Sequence, residues 1–322
     1  MRGPAGMPDG WRMNPCVPAV RMVVMNPELE AFIPFIPRID LTDPVADRKR
    51  YAERAAASPA PDTTGMEIED RTVPADPDVA VRIYRPHEAQ GAIVWLHGGG
   101  LVMGDLDSEH PFAARIAAGS GAVVITVDYR RTPEHRFPAA LDDAYAVLTW
   151  TAEHAAELGI DPRRIAVAGH SAGAGLAAAV ALRARDQQGP PIHFQLLNQP
   201  GLDDRQQTWS QRHFTDSPGH DRHTITKVWQ YYLGSAPATQ YAAPARATDL
   251  SGLPPAYIAT AEFDPLRDEA IDYALRLLQA GVSVELHQWP GTFHGSLAIL
   301  SAEVSQRQLT ELTSALRRAL AE

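Results

Sequence analysis

Apolar residues in this chain fall into short, β-branched runs. From the third run onward, stretches with helical spacing separate them. Eight strands are predicted, at about 67–74, 80–86, 91–97, 123–129, 164–169, 193–199, 256–262 and 283–290. Five helices are predicted at 109–119, 138–157, 171–186, 267–280 and 303–321, the last three carrying apolar residues at i, i+3 and i+4. Short polar turns join the first three strands, which are therefore expected to be antiparallel. Each later gap holds a crossover helix, as parallel pairing requires. The pattern predicts an α/β fold, an eight-stranded, mostly parallel sheet with helices on both faces.

Two segments break this alternation. Residues 26–57 look helical at both ends around the proline-broken "FIPFIP", and residues 201–247 carry Trp209, Phe214, Trp229, Tyr231 and Tyr232 in a polar, proline-punctuated insert. Residues 1–57 and 201–247 are expected to form a helical cap over a core made of 58–200 and 248–322. The insert's aromatic residues either wall a pocket or pack the insert onto the sheet, and the sequence leaves both readings open.

At 322 residues and 45% hydrophobic composition, the chain can bury one large α/β core with insertions. Its formal charge of −10 carries no basic block, which argues against nucleic acid and anionic membranes as partners. A small neutral ligand fits better. Cys16 is the only cysteine, so no intramolecular disulfide framework or cysteine-based zinc site is expected. The opening stretch lacks a continuous apolar region, and no run approaches the ~18 apolar residues of a membrane span. A cytoplasmic, soluble protein is the expectation, with Met22 and Met25 as alternative starts.

Chemistry concentrates at "IAVAGHSAGAGLAAAVAL", residues 165–182, a buried strand pattern that becomes an alanine-rich helix at Gly169-His170-Ser171-Ala172-Gly173. A tight strand-to-helix corner flanked by glycines holds a serine proud of the backbone, where a base and a substrate can both reach it. A helix-capping serine is the plainer alternative. "LHGGGLVMGD", residues 96–105, ends another strand. Its three successive glycines permit backbone N–H groups to converge on an oxyanion, while the lysine and hydroxyl residue of a phosphate loop are absent. Further on, "TAEFDPLRDE" puts Asp264 just past a strand and "PGTFHGS" puts His294 in a glycine-flanked loop. The order serine, acid, histidine is what loops after successive strands deliver. Glu262, Asp268 and Glu269 are rival acids, the last two reading as charges at a helix start. His213, His220 and His223 lack metal-ligand spacing and read as a solvated loop.

These motifs, together with "DYRRTPEHRFPAALDDAY" and "DLSGLPPAYIATAEFDPLRDE", resemble the hormone-sensitive-lipase-like (family IV) carboxylesterases of the α/β-hydrolase fold. The likeness runs from about residue 80 to 300. It implies Ser171 as nucleophile, His294 as base and Asp264 as its orienter. Gly99, Gly100 and Ala172 would then supply the oxyanion N–H groups, with His97 bracing the loop. It also implies short-chain acyl esters as substrates and no cofactor. His170, Ala174 and Ser296 depart from the family pattern. His170, adjacent to the serine in sequence, is expected to face away from it and to support neighbouring loops. An amidase or deacetylase with the same residues, and a non-catalytic small-molecule receptor, are the alternative functions. The strand at 283–290, if it lies at the sheet edge, is expected to join two copies in a homodimer.

Overall fold

The computed structural model describes residues 24–36, 39–87, 89 and 91–321. Cys16 and nearly all of the opening stretch lie outside the described residues. The elements in chain order are α1 (Pro27–Glu30), α2 (Pro44–Ala56), β1 (Met66–Val73), β2 (Val79–Pro86), β3 (Ala92–Leu96), α3 (Leu106–Ser120), β4 (Val123–Val127), α4 (Ala139–Glu153), α5 (Ala155–Leu158), β5 (Ile165–His170), α6 (Ala172–Asp186), β6 (Phe194–Asn198), α7 (Trp209–His213), α8 (Arg222–Leu233), β7 (Ala256–Phe263), α9 (Arg267–Gln279), β8 (Val284–Phe293) and α10 (Glu303–Ala321).

The strands form one sheet in the order β1-β2-β4-β3-β5-β6-β7-β8. β1 pairs antiparallel with β2, and β2 antiparallel with β4; every other pairing is parallel. The antiparallel start is as expected in direction but not in neighbourhood, because β4 lies between β2 and β3. Residues 87–91, which join the two, can span about 17 Å when extended. That exceeds the roughly 10 Å of two strand spacings, so a short connection can step over a strand position. The crossover through α3 then brings β4 into that place.

The central strands β3 and β4 are buried at every position, as unbroken apolar runs covered on both faces must be. Alternate residues feed two cores. Val94, Leu96, Ile125 and Val167 pack with α4, α6 and α9, while Ile93, Trp95 and Val124 pack with α3 and α10. α3 begins three residues earlier than its apolar spacing predicts. Asp105 accepts from Ser108 N, and the Ser108 hydroxyl in turn accepts from Asp105 N, forming a capping box. The helix expected over 138–157 breaks at His154 into α4 and α5.

Residues 26–57 and 201–247 meet above the C-terminal ends of the strands. Thr224 Oγ1 donates to Ile39 O and Tyr231 OH to Leu41 O, both at 2.8 Å. Leu41, Val102 and Met103 form a small core to which Tyr51, Val228 and Tyr231 add partly buried faces. Arg48 of α2 donates to Val102 O and Thr132 O, fixing the N-terminal segment to the loops after β3 and β4. The insert's aromatic residues serve both expected purposes: Trp229 and Tyr232 wall a cavity, and Phe214 packs against Phe263 at the end of β7. Among the described residues no helix is long and apolar enough to cross a membrane.

Candidate active site

Five strand ends converge on one point, as crevices at the carboxyl ends of parallel strands do. β5 delivers Ser171 at φ 55°, ψ −123°, a conformation that costs an L-residue of order 1–3 kcal/mol. Backbone bonds hold it there. Ser171 N donates to Asn198 O at 2.8 Å, and Ser171 O accepts from Ala174 N and Gly175 N, both at 3.1 Å. The serine makes no side-chain capping bond, so the capping alternative fails. Gly173 lets α6 lie directly on β3, since a Cβ there would overlap Leu96 O.

The hydroxyl of Ser171 donates to His294 Nε2 at 2.8 Å, and His294 Nδ1–H donates to Asp264 Oδ2 at 2.7 Å. Asp264 sits fully buried just past β7, its other oxygen accepting Leu266 N at 2.8 Å. The rival acids are committed elsewhere. Glu262 accepts Gly291 N on β8, and Asp268 accepts Ser210 N in the insert. Facing the serine, the loop after β3 turns through Gly99 at φ 103° and Gly100. The N–H groups of Gly99, Gly100 and Ala172 donate to no protein acceptor among the described residues.

Comparison with known proteins bears on this arrangement. A family model described as "alpha/beta hydrolase fold" matches residues 93–298. Carboxylesterase NlhH of Mycobacterium tuberculosis is 44% identical over 267 residues, 78% of this chain and 83% of that protein. Esterase LipI of the same organism is 46% identical over 232 residues, 69% of this chain and 72% of that one. A solved structure titled bacterial heroin esterase superposes with a TM-score of 0.90 at 44% identity, covering 92% of this chain and 98% of that one. The chain belongs to the hormone-sensitive-lipase-like carboxylesterases of the α/β-hydrolase fold. That membership makes it an enzyme of the carboxylic ester hydrolase class.

The glycine loop of this esterase is braced from beneath. His97 Nδ1–H donates to Gly98 O at 2.8 Å, its ring stacks on Tyr129 at 4.1 Å, and Tyr129 OH donates to His97 O at 2.7 Å. Burial pushes the His97 imidazole down to about 4, so it stays neutral across the working range. His170 reaches the same loop from the other side. Its Nε2 accepts Gly98 N at 2.9 Å, beside Glu109 and with its ring between Trp95 and Phe112. We expect His170→Ala to lower kcat by no more than about tenfold, since one loop bond of order 1 kcal/mol is lost while the bonds of His294 to Ser171 and Asp264 are untouched. Steady-state kinetics on a p-nitrophenyl ester measure it, and a 10³-fold loss would contradict this assignment.

Three residues of the esterase site were misread or missed in the sequence. Gln199, at φ 52° just past β6, accepts Gly295 N at 2.8 Å and so steadies the loop that carries His294. Only its place after a strand marks it. Glu269 is no ordinary charge at a helix start. It is buried, and accepts Leu202 N at 2.6 Å, Asp203 N at 3.2 Å and Gln211 Nε2 at 3.2 Å, tying the loop after β6 and α7 to α9. Burial pushes its carboxyl up to about 8. A raised acid pKa means that folding favours the protonated form, so this contribution is complete below the ordinary value of about 4.5 and is lost as pH rises through 8. Glu269→Gln should therefore flatten the fall of Tm between pH 4.5 and 8 by a few degrees, as thermal melts across that range will measure. The third residue is His220. It does not lie in a solvated loop beside His213 and His223, which are exposed. Instead its ring stacks on His294 at 4.8 Å, because the turn at Gly219 runs against the backbone of His294.

Proposed function

We propose that this protein hydrolyses short-chain carboxylic esters through a covalent acyl-enzyme on Ser171. The observation that carries the reading is the hydrogen-bonded line Ser171–His294–Asp264, at 2.8 and 2.7 Å, set beside three backbone N–H groups that have no protein acceptor among the described residues. In this mechanism Ser171 Oγ attacks the ester carbonyl as His294 Nε2 takes its proton. Asp264 holds the Nδ1–H tautomer and balances the imidazolium. The N–H groups of Gly99, Gly100 and Ala172 receive the oxyanion, each worth about 3 kcal/mol in the transition state. His294 then returns the proton to the departing alcohol, and a water molecule repeats the sequence on the acyl-enzyme.

The cavity beside Ser171 supports a limit on acyl length. Ala172, Gly175, Leu176 and Ala179 line it along one face of α6. That span rises about 10 Å at 1.5 Å per residue. Ile225 and Val228 of α8 close it from the insert, which with the N-terminal segment we take as the cap. Acyl chains of about two to eight carbons should therefore be favoured. A panel of p-nitrophenyl esters from acetyl to palmitoyl, run beside matched anilides, tests both claims. Turnover of palmitoyl esters equal to that of butyryl esters would overturn the length limit, and preferential anilide cleavage would make the protein an amidase. The homodimer belongs to the same proposal. β8 is an outer strand of the sheet, and a monomeric mass by light scattering at micromolar concentration would refute pairing through it.

A further inference from the structure

His220 offers a polar group in an otherwise mostly apolar cavity, and the mechanism above gives it no task. Of the lining side chains only Ser171, His220, Trp229 and Tyr232 carry polar atoms. The His220 ring bonds to the backbone through Nδ1, which donates to Gly219 O at 3.0 Å, leaving Nε2 as an acceptor with no hydrogen-bond partner among the described residues. Partial burial and the loss of hydration among the surrounding groups push this imidazole down to about 4, so the acceptor persists at neutral pH.

Its position decides what it faces. When the tetrahedral adduct collapses, His294 must hand its proton to the alcohol oxygen, so the leaving group lies against His294. A ring stacked on His294 at 4.8 Å lies beside that same group. We propose that His220 is a specificity-determining residue that selects esters whose alcohol portion bears a hydrogen-bond donor, a hydroxyl or N–H, on the second carbon from the ester oxygen. A plain alkyl group at that place excludes water from Nε2 without replacing its hydrogen bond, and a buried polar atom left unpaired discriminates against the ligand that strands it. The inference rests on the esterase reading and divides the one cavity beside Ser171: the α6 face takes the acyl chain, and the end at His220, against His294, takes the alcohol.

The test compares 2-hydroxyethyl butyrate with propyl butyrate, which replaces the terminal hydroxyl by a methyl group, using pH-stat titration of the released acid. The unmodified protein should favour the hydroxyethyl ester in kcat/KM by about tenfold. In His220→Phe, which keeps a ring over His294 but has no acceptor, the ratio should fall to within about twofold of unity. Both esters are measured on one preparation, so any loss of folded enzyme cancels from the ratio. A ratio near unity in the unmodified protein, or an unchanged preference in His220→Phe, overturns the proposal while leaving ester hydrolysis intact. If the unmodified protein cleaved neither ester nor p-nitrophenyl butyrate, the esterase reading would fail and this inference with it.

Discussion

Ser171→Ala will end ester turnover, leaving only the residual ~10³–10⁴-fold over water that binding and the oxyanion donors supply. The loss should come without unfolding, because what holds residue 171 in its corner is main chain: its N–H to Asn198 and its carbonyl to Ala174 and Gly175. An organophosphate should label Ser171 alone. Among the described residues no other buried serine bonds a base: Ser210 and Ser305 donate to the carbonyls of Pro265 and Ser296, and the Ser296 hydroxyl has no partner. Labelling at a second serine, or near-normal turnover in the alanine variant, would falsify the assignment of the nucleophile.

His294→Ala should cost about 10⁴-fold or more in kcat, the scale at which nucleophile and base fail as a unit. It should also lower stability. Asp264 is fully buried, and without the imidazole its Oδ2 loses the one hydrogen bond it makes among the described residues, leaving Leu266 N on the other oxygen. Circular dichroism separates the two effects, and kinetics should be read on the fraction that remains folded. The contrast with His170 is decisive. If the variant at 294 were active and the variant at 170 dead, the base would have been misassigned.

Much of this site was legible because its chemistry is tied to strand ends, and a strand end shows where a short apolar run stops. Ser171, Asp264 and His294 each follow such a run, and parallel pairing brings those ends together. The placing of β4 between β2 and β3 was not legible. Antiparallel direction follows from a short turn, but neighbourhood depends on where a crossover helix returns. His220 was hidden for a related reason. Local polarity suggested a solvated loop, whereas its partial burial arises from packing against a loop some seventy positions later in the chain. Glu269 likewise looks like any acid in a first helical turn until the amides after β6 are brought onto it. His170 could be placed from geometry alone, since adjacent side chains at a tight corner diverge.

The left-handed backbone at Ser171 bears on how such a protein can be improved. Glycine would occupy φ 55° without the steric penalty that serine meets there. The fold would thus gain from losing the serine proposed as its nucleophile, and on that proposal screening variants for heat resistance alone would enrich inert molecules at this position. Stability and reactivity are set against each other in a single residue, so any campaign to harden this enzyme must select on turnover as well as on survival.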